Sequence, residues 1–410
     1  MGPSEIGEPA TQTTAGGNWP EVLSAFLRLG LTSFGGPVAH LGYFREEFVT
    51  RRRWLDDHSY ADLVALCQFL PGPASSQVGI ALGLSRAGYP GALAAWFGFT
   101  MPSAIALVLF AYSVSLLRDA AGSGWLHGLK VAAVAVVAQA VLGMMQTLTP
   151  DRMRATMAVA AMAIVLAFPS AWSQVVAIAL GALFGLALLQ SNVPADHASL
   201  PLKVSRTTGA LLLIVFFALL IGLPLLAATL PAQGVKLFDA FYRAGSLVFG
   251  GGHVVLPLLQ AAVVPQGWVS NDAFLAGYGA AQAVPGPLFT FAAYLGAIVK
   301  GPPSGILGAT IALTAIFLPG LLAISGTLPF WDQFRRQPRA QAVMRGINAS
   351  VVGLLGAALY HPLWTTSVKT NGDFGLALIG FVLLTKGNMP PILVVIVSAI
   401  GGIVLALLNL

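Results

Sequence analysis

The sequence predicts an all-α, polytopic integral membrane protein. It is expected to contain two homologous repeats of inverted topology, each with broken or re-entrant helices, joined by an extra transmembrane helix. Three observations predict this fold class: a nearly uncharged composition, an internal repeat and paired helix breakers. Of 410 residues, 57% are hydrophobic and 9% are charged, against roughly 25% charged in an ordinary soluble domain. Uncharged runs longer than the ~20 residues that cross a bilayer cover residues 91–117, 207–235, 273–299 and 301–331.

The residue inventory excludes several classes of site. One cysteine, Cys67, allows neither an internal disulfide nor a cysteine-based metal cluster, and the 6 histidines lack the spacing of metal ligands. The sequence has no nucleotide-binding loop, no HExxH motif and no clustered Ser/His/Asp residues. We therefore expect no enzyme, no cofactor, no metal and no nucleic-acid partner. The net charge of +6 fits cytoplasmic loop arginines and would also suit an anionic cargo.

An internal repeat organises the chain. FLRLGLTSFGGP, which begins at Phe26, aligns with FYRAGSLVFGGG, which begins at Phe241. Later matches keep nearly the same offset: Trp54 with Trp268, Gln68 with Gln282, Pro71-Gly72-Pro73 with Pro285-Gly286-Pro287, and Pro102 with Pro319. We predict a disordered tail over residues 1–20, a first repeat over 21–195, a linker with the joining helix over 196–235, and a second repeat over 236–410.

The distribution of arginine predicts that the repeats are inverted. The segment 45–54 is basic, whereas its counterpart 260–268 has no basic residue. The bias then reverses, because residues 116–127 carry one arginine and residues 330–345 carry four. Basic loops stay in the cytoplasm, so matching loops are expected on opposite sides of the membrane. The same rule predicts a cytoplasmic N-terminus.

Pro-Gly-Pro interrupts an apolar segment in each repeat. The first proline disfavours helix at the residue before it, the glycine permits a sharp turn, and the second proline suits the start of a new helix. The next amides lack helical acceptors and can bind an anion at the positive end of a half-helix. In lipid such breaks survive only where protein or cargo satisfies the backbone. Matching breaks in both halves indicate a central transport site, and the predicted break residues are Pro71, Gly72, Pro73, Pro285, Gly286 and Pro287.

A second pair of breaks is predicted at the glycines of SFGGP and FGGGH. An arginine precedes each by two turns, and we expect neither arginine to have a carboxylate partner, so that a bound oxyanion would satisfy its donors. The predicted substrate-binding residues are Arg28, Gly35, Gly36, Gln68, Ser75, Ser76, Arg243, Gly250, Gly251, Gln282 and Thr290. The candidates for proton coupling are Asp57, Asp62 and His253.

Each of these assignments has a structural alternative. The glycine pairs and the Pro-Gly-Pro motifs could let helices pack closely, and the arginines could reach the membrane interface. The two glutamines could bond neighbouring backbone. The aspartates, together with Asp272, could cap helices, and His40 and His253 could be structural histidines.

The combination of motifs resembles the chromate transporter family. The resemblance rests on SFGGP after Arg28, FREEFVTRRRWL, ALCQFLPGP, FYRAGSLVFGGGH, QGWV and AVPGPLF, and it covers both halves. It implies the long, two-domain form of a family of inner-membrane proteins that export chromate from the cytoplasm and confer chromate resistance. Members are thought to use the membrane potential or the proton gradient rather than ATP. The resemblance implies chromate or a similar oxyanion as partner, beside the lipid bilayer, and leaves a homodimer open.

Two other transport functions stay open from the sequence. Sulfate or molybdate could be the main substrate, because hydrogen-bonding sites separate isosteres poorly. An anion channel would use the same site, but its flux would be faster and would not be coupled to a counter-ion.

Overall fold

The computed structural model describes residues 18–34, 36–121, 124–168, 171–189, 204–249, 252–331 and 337–408. Every regular element in these ranges is helical. The first repeat contains α1 (Trp19–Thr32), α2 (Gly36–Phe44), α3 (Asp57–Phe69), α4 (Ala74–Ala121), α5 (Gly124–Leu148), α6 (Arg152–Ala167) and α7 (Ala171–Leu188). The second contains α9 (Gln233–Ser246), α10 (Val255–Val263), α11 (Asn271–Ala281), α12 (Phe291–Ile298), α13 (Gly305–Thr327), α14 (Pro338–Ala358), α15 (Asn371–Thr385) and α16 (Pro391–Leu408). Between them lies α8 (Arg206–Thr229), at the position of the predicted joining helix.

Parts of several predicted segments lie outside the described residues. These parts are residues 1–17 of the tail, residues 190–203, which include the end of the first repeat and the start of the linker, and residues 332–336 of the second basic loop. Residues 19 and 20, which we assigned to the tail, already belong to α1.

The repeats match element by element once α4 is divided. Ala87 and Gly88 have non-helical backbone angles, so α4 comprises two helical segments, α4a (residues 74–86) and α4b (residues 89–121). Helices α1 and α9 are then both 14 residues long, α2 and α10 are both 9, and α7 and α16 are both 18. The duplication seen in the sequence is therefore a duplication of structure.

Side-chain caps fix where several helices begin. Asp56 accepts a hydrogen bond from the Ser59 amide at 2.8 Å and starts α3, and Ser270 accepts from the Ala273 amide at 3.3 Å and starts α11. A polar side chain at this position satisfies an amide that the helix itself cannot. The capping alternative for Asp57 and Asp272 is therefore wrong, because the N-caps of α3 and α11 are Asp56 and Ser270.

Six helices in the described ranges are long and apolar enough to cross a membrane. They lie at Ala74–Val114, Gly124–Leu148, Arg206–Thr229, Gly305–Phe330, Pro338–Ser367 and Pro391–Leu408. The joining helix α8 is the least covered of them, with 6% of its apolar window buried. Most of its surface is thus available to lipid.

The two repeats interlock through their long helices. Helix α5 of the first repeat packs against α15 and α16 of the second, and α14 of the second packs against α6 and α7 of the first. Small residues make this approach close: a Cβ on Gly402 would collide with the carbonyl of Gly124, and a Cβ on Gly346 with that of Gly181. Because the largest apolar core takes residues from both repeats, neither repeat completes its core alone.

Broken helices form hairpins whose two ends lie together. We name them hairpin 1a (α1–α2), hairpin 1b (α3–α4a), hairpin 2a (α9–α10) and hairpin 2b (α11–α12). Glu21 in the first turn of α1 pairs with Arg52, which follows hairpin 1a, at 3.5 Å, and with Arg86, which ends hairpin 1b, at 3.3 Å. Both guanidinium groups also lie over the Trp54 ring, at 5.6 and 5.3 Å from its centre. Each chain segment therefore enters and returns to the same end of the molecule.

The second repeat closes its hairpins in the same way. The Gln233 side chain, at the start of α9, donates to the Lys300 carbonyl at 2.7 Å. The Lys300 amide, after the end of α12, donates to the Trp268 carbonyl at 3.0 Å. Hairpins 2a and 2b are therefore re-entrant as well, which agrees with the predicted broken helices.

Candidate functional site

The tips of the hairpins from opposite repeats bond directly to each other. The Gly72 amide at the tip of hairpin 1b donates to the Val248 carbonyl at the tip of hairpin 2a, at 2.8 Å. Reciprocally, the Gly286 amide at the tip of hairpin 2b donates to the Ser33 carbonyl at the tip of hairpin 1a, at 2.8 Å. The four breaks found in the sequence are thus joined in pairs, and the partner of each break comes from the other repeat.

The helices break at the Pro-Gly-Pro motifs. Leu70 is extended (φ −85°, ψ 153°), and α4a begins at Ala74. In the second repeat α11 already ends at Ala281, and Pro287 leads into a 3-10 turn over Leu288–Thr290. The two central glycines have φ of +121° and +92°, values that only glycine adopts without strain.

A small cavity, which we name the hairpin-tip cavity, lies at these tips. Its volume is about 50 Å³, and its polar or backbone lining comes from Gly36, Gln139, His253, Gln282 and Gly286. A single water needs about 10–15 Å³ of such space, so the cavity holds a few water-sized groups. Among the described residues, its lining has no Asp, Glu, Lys or Arg side chain. The cavity therefore offers dipoles and neutral hydrogen-bonding groups rather than charges.

Three side chains can direct hydrogen bonds into this cavity. His253 Nδ1 lies 2.8 Å from the Tyr278 hydroxyl, which leaves Nε2 facing Gly36. Within the described ranges, the buried Gln282 amide nitrogen makes no hydrogen bond of normal geometry, and the Gln139 amide reaches the Leu384 carbonyl only at 3.4 Å. An unpaired buried donor costs about 1–3 kcal/mol, and a bound acceptor would remove that cost.

The predicted hydroxyl groups are mostly bonded to protein. His40 Nε2–H donates to the Ser33 carbonyl at 3.2 Å, so Nδ1 accepts from the Ser75 hydroxyl at 3.3 Å. Thr290 donates to the Pro287 carbonyl at 2.8 Å. Ser76 is buried, and no hydrogen-bond partner of its hydroxyl is found in the part of the chain that the structure describes.

Three further predicted residues lie away from the cavity lining. Gln68 is exposed in the last turn of α3, unlike its repeat counterpart Gln282. Asp57 is exposed and pairs with Arg45 at 2.8 Å, whereas Asp62 is buried and has an interaction partner. Gly35, Gly250 and Gly251 lie outside the described residues.

The two arginines differ in their surroundings. Arg28 is exposed on α1, and no ion pair of its guanidinium is found within the described ranges. Arg243 makes two hydrogen bonds to the buried Asp239, at 2.9 and 2.7 Å. The expectation that neither arginine has a carboxylate partner is therefore wrong for Arg243. Asp239 precedes it by four residues, the spacing of neighbours on a helix, and the sequence alone could have shown this.

Sequence reasoning also missed two residues at the cavity. Gln139 is the lone amide in the middle of the apolar helix α5, and that isolation was a usable signal. Tyr278 contacts His253 and is fully buried. No pattern distinguished this tyrosine from one that only fills the core.

Comparison with known proteins assigns the chain to a family. The family model described as Chromate transporter matches residues 20–186 and 235–403. The chain belongs to the chromate transporter family. Its two matched segments coincide with the two structural repeats, so each repeat carries its own match to the family.

Three relatives are similar to this chain over nearly their whole length. The chain is 26% identical over 398 residues to a chromate transport protein of Pseudomonas aeruginosa, with 94% of this chain and 92% of the relative covered. It is 27% identical over 405 residues to a chromate transport protein of Cupriavidus metallidurans, covering 95% and 94%. It is also 26% identical to an uncharacterized transporter of Methanocaldococcus jannaschii over 394 residues, covering 93% of each. No solved structure matches this chain.

Proposed function

We propose that this chain is a multi-pass transporter of the cell inner membrane that exports chromate from the cytoplasm by alternating access. The observation that carries the proposal is the reciprocal bonding of hairpin tips from the two repeats beside one small cavity of hydrogen-bonding groups. The family match over both repeats supports chromate as the cargo. Two relatives named chromate transport proteins, each similar over nearly the full chain, support it as well.

The proposal includes inverted repeats and a cytoplasmic N-terminus. The chain enters and leaves hairpins 1a and 1b at the end of the molecule that carries Arg45, Arg52 and Arg86. The positive-inside rule places this end in the cytoplasm. Between these two hairpins and hairpin 2a, three helices are long enough to cross: α4b, which lies within the apolar span Ala74–Val114, α5 and α8. We take α6 and α7 as a pair in which both helices cross or neither does, so the total is odd in either case. An odd number of crossings supports hairpins 2a and 2b opening on the outer side.

The cavity has the groups that a tetrahedral dianion requires. His253, Gln282 and Gln139 provide hydrogen-bonding groups, and α2 begins at Gly36 in the lining, where a helix carries roughly half a positive charge. In this proposal Arg28 and Arg243 add positive potential from α1 and α9 rather than direct contact. Of the three candidates for proton coupling, His253 is the one that lines the cavity.

The membrane potential alone can drive this export. Moving two negative charges outward, from a negative interior, gains ~4.6 kcal/mol per 100 mV. That energy supports a concentration ratio of roughly a thousandfold. A cell with such a transporter lowers its internal chromate without ATP, and this would confer chromate resistance.

The test is flux of labelled chromate into inside-out proteoliposomes, with the potential and the pH gradient imposed separately. We expect saturable uptake that is accelerated when the lumen is positive, the direction that draws a dianion outward in the cell. Absence of chromate uptake under every imposed gradient would contradict the proposal. Non-saturable flux would indicate a channel instead.

Sulfate is the second candidate cargo, because the lining consists of neutral groups that discriminate poorly between isosteres. Unlabelled sulfate or molybdate is added outside the same vesicles, and its effect on chromate uptake is measured. Inhibition only at a large excess supports chromate as the main substrate. Inhibition at equal concentration would assign the chain a broader oxyanion specificity.

A further inference from the structure

A second, larger cavity lies at the other end of the helices that line the hairpin-tip cavity. Its volume is about 570 Å³, and its polar lining consists of His127 and Lys130 of α5, Ser270 and Asp272 at the start of α11, and Tyr294 of α12. Sequence reasoning assigned no binding role to these residues. We name this space the α5–α11 vestibule.

Two contacts between a basic side chain and a carboxylate at the α5–α11 vestibule join the repeats. Lys130 Nζ donates to Asp272 at 2.8 Å, and His127 Nε2 lies 2.6 Å from Asp373 of α15. Both basic residues belong to α5 of the first repeat, and both carboxylates belong to the second. By contrast, the pairs Arg154–Asp151 and Arg243–Asp239 each stay within one repeat. Movement of one repeat against the other therefore acts on the pairs at the vestibule.

The Lys130–Asp272 pair can exchange its carboxylate for a bound anion. The lysine side chain is 15% exposed and the aspartate side chain 77% exposed, so Asp272 loses little hydration by pairing and regains it easily on release. The ammonium has three donors, of which Asp272 takes one. The Ser270 hydroxyl and the second ring nitrogen of His127 add further polar groups to the lining.

Asp373 does not compete for the same anion site. Its carboxylate accepts from the backbone amides of Lys369 and Thr370 at 2.9 and 3.0 Å, as well as interacting with His127. These bonds hold the carboxylate in the N-terminal turn of α15. Lys130 is therefore the positive group in the lining whose partner can leave.

Helices α5 and α11 connect the α5–α11 vestibule with the hairpin-tip cavity. Gln139 follows Lys130 by nine residues on α5, a rise of roughly 13 Å along a helix. Asp272 lies at the start of α11, and Gln282 lies just after its end. The α5–α11 vestibule thus opens at the beginning of both helices, and the hairpin-tip cavity lies beside their later residues. In the proposed orientation, both helices begin on the outer side.

We propose that the α5–α11 vestibule is an outer oxyanion-binding site, in which the exported dianion displaces Asp272 from Lys130 before it is released. This inference rests on the proposed function and orientation. Displacement of Asp272 frees the start of α11 from α5, and the far end of α11 forms the tip of hairpin 2b. Anion binding in the vestibule thereby loosens the contact between repeats that a change of access must break.

The test uses the full chain in inside-out proteoliposomes, whose lumen corresponds to the outside of the cell. Unlabelled chromate is loaded into the lumen at increasing concentration, and the initial uptake of labelled chromate is measured. For Lys130→Gln we expect the half-inhibiting luminal concentration to rise about tenfold, the loss of one charge-assisted hydrogen bond. For Asp272→Asn we expect it to fall several-fold, because the ammonium loses its competitor. Asp151→Asn is the matched control, since it removes the charge from a pair within one repeat and still caps α6.

The outcomes separate this inference from the proposed function. Normal uptake, with wild-type luminal inhibition in both variants, overturns the vestibule site alone. The vestibule site is also overturned if the variants change inhibition only by unlabelled chromate added outside the vesicles, because the site would then face the cytoplasm. No uptake by the wild-type chain overturns the proposed function and this inference together. If Lys130→Gln does not assemble, Asp272→Asn decides by itself, since its expected shift has the opposite sign.

Discussion

Replacing Gly286 by alanine is expected to lower chromate flux by more than about tenfold. A Cβ at this position would lie 2.5 Å from the Ser103 hydroxyl and 3.0 Å from the Phe99 carbonyl. Left-handed backbone costs a non-glycine residue roughly 1–2 kcal/mol in addition. Both effects push the tip of hairpin 2b away from Ser33 and break the 2.8 Å bond between the repeats. Chromate flux is measured in proteoliposomes, and folding is assessed by size-exclusion chromatography.

Gly267→Ala is the matched control for this change. Gly267 also has a positive φ, +69°, but a Cβ there would meet nothing within 4 Å. The control adds backbone strain without disturbing a hairpin tip, so it is expected to keep most of the flux. Equal flux from both variants would show that the tip contact is not required for transport.

Replacing Arg243 by glutamine is expected to abolish flux and to destabilise the fold. The change leaves the buried Asp239 without its two hydrogen bonds. Removing one partner of a buried pair costs roughly 3–5 kcal/mol, and the 41% exposure of the Arg243 side chain places this case at the lower end. Thermal unfolding in detergent measures the stability, and chromate uptake measures the function.

The double variant Asp239→Asn/Arg243→Gln separates the two roles of Arg243. It removes both charges, so stability is expected to recover. Flux is expected to stay low, because the tip of hairpin 2a begins four residues after Arg243 and loses the guanidinium group, which lies one helical turn nearer to it than the Asp239 carboxylate. Wild-type flux from the double variant would mean that Arg243 serves only to neutralise Asp239.

The repeat organisation could be predicted from particular residues. The offset between Phe26 and Phe241 persists through the Pro-Gly-Pro motifs, and the helices match in the same order. Breaks in apolar segments need partners for their backbone groups. The reciprocal bonds of Gly72 and Gly286 supply such partners.

Other features of the site depend on geometry that sequence symmetry hides. Gln68 and Gln282 occupy equivalent positions, yet Gln68 still lies within α3, while Gln282 is the first residue after α11. Helix α11 ends two residues earlier than the equivalent end of α3, and Gln68 is exposed whereas Gln282 is partly buried. The pairing of Lys130 with Asp272 joins residues 142 positions apart, and only the interlocked repeats bring them together.

The inverted arrangement of the repeats is tested most directly by one-sided labelling of two equivalent loops. In a Cys67→Ser background, Thr50→Cys lies beside hairpin 1a and Gln266→Cys beside hairpin 2a, and both native residues are exposed. A membrane-impermeant thiol reagent is applied to spheroplasts and, separately, to inside-out vesicles. If the repeats are inverted, Gln266→Cys is labelled only in spheroplasts and Thr50→Cys only in inside-out vesicles. Labelling of both positions from the same side would contradict this arrangement.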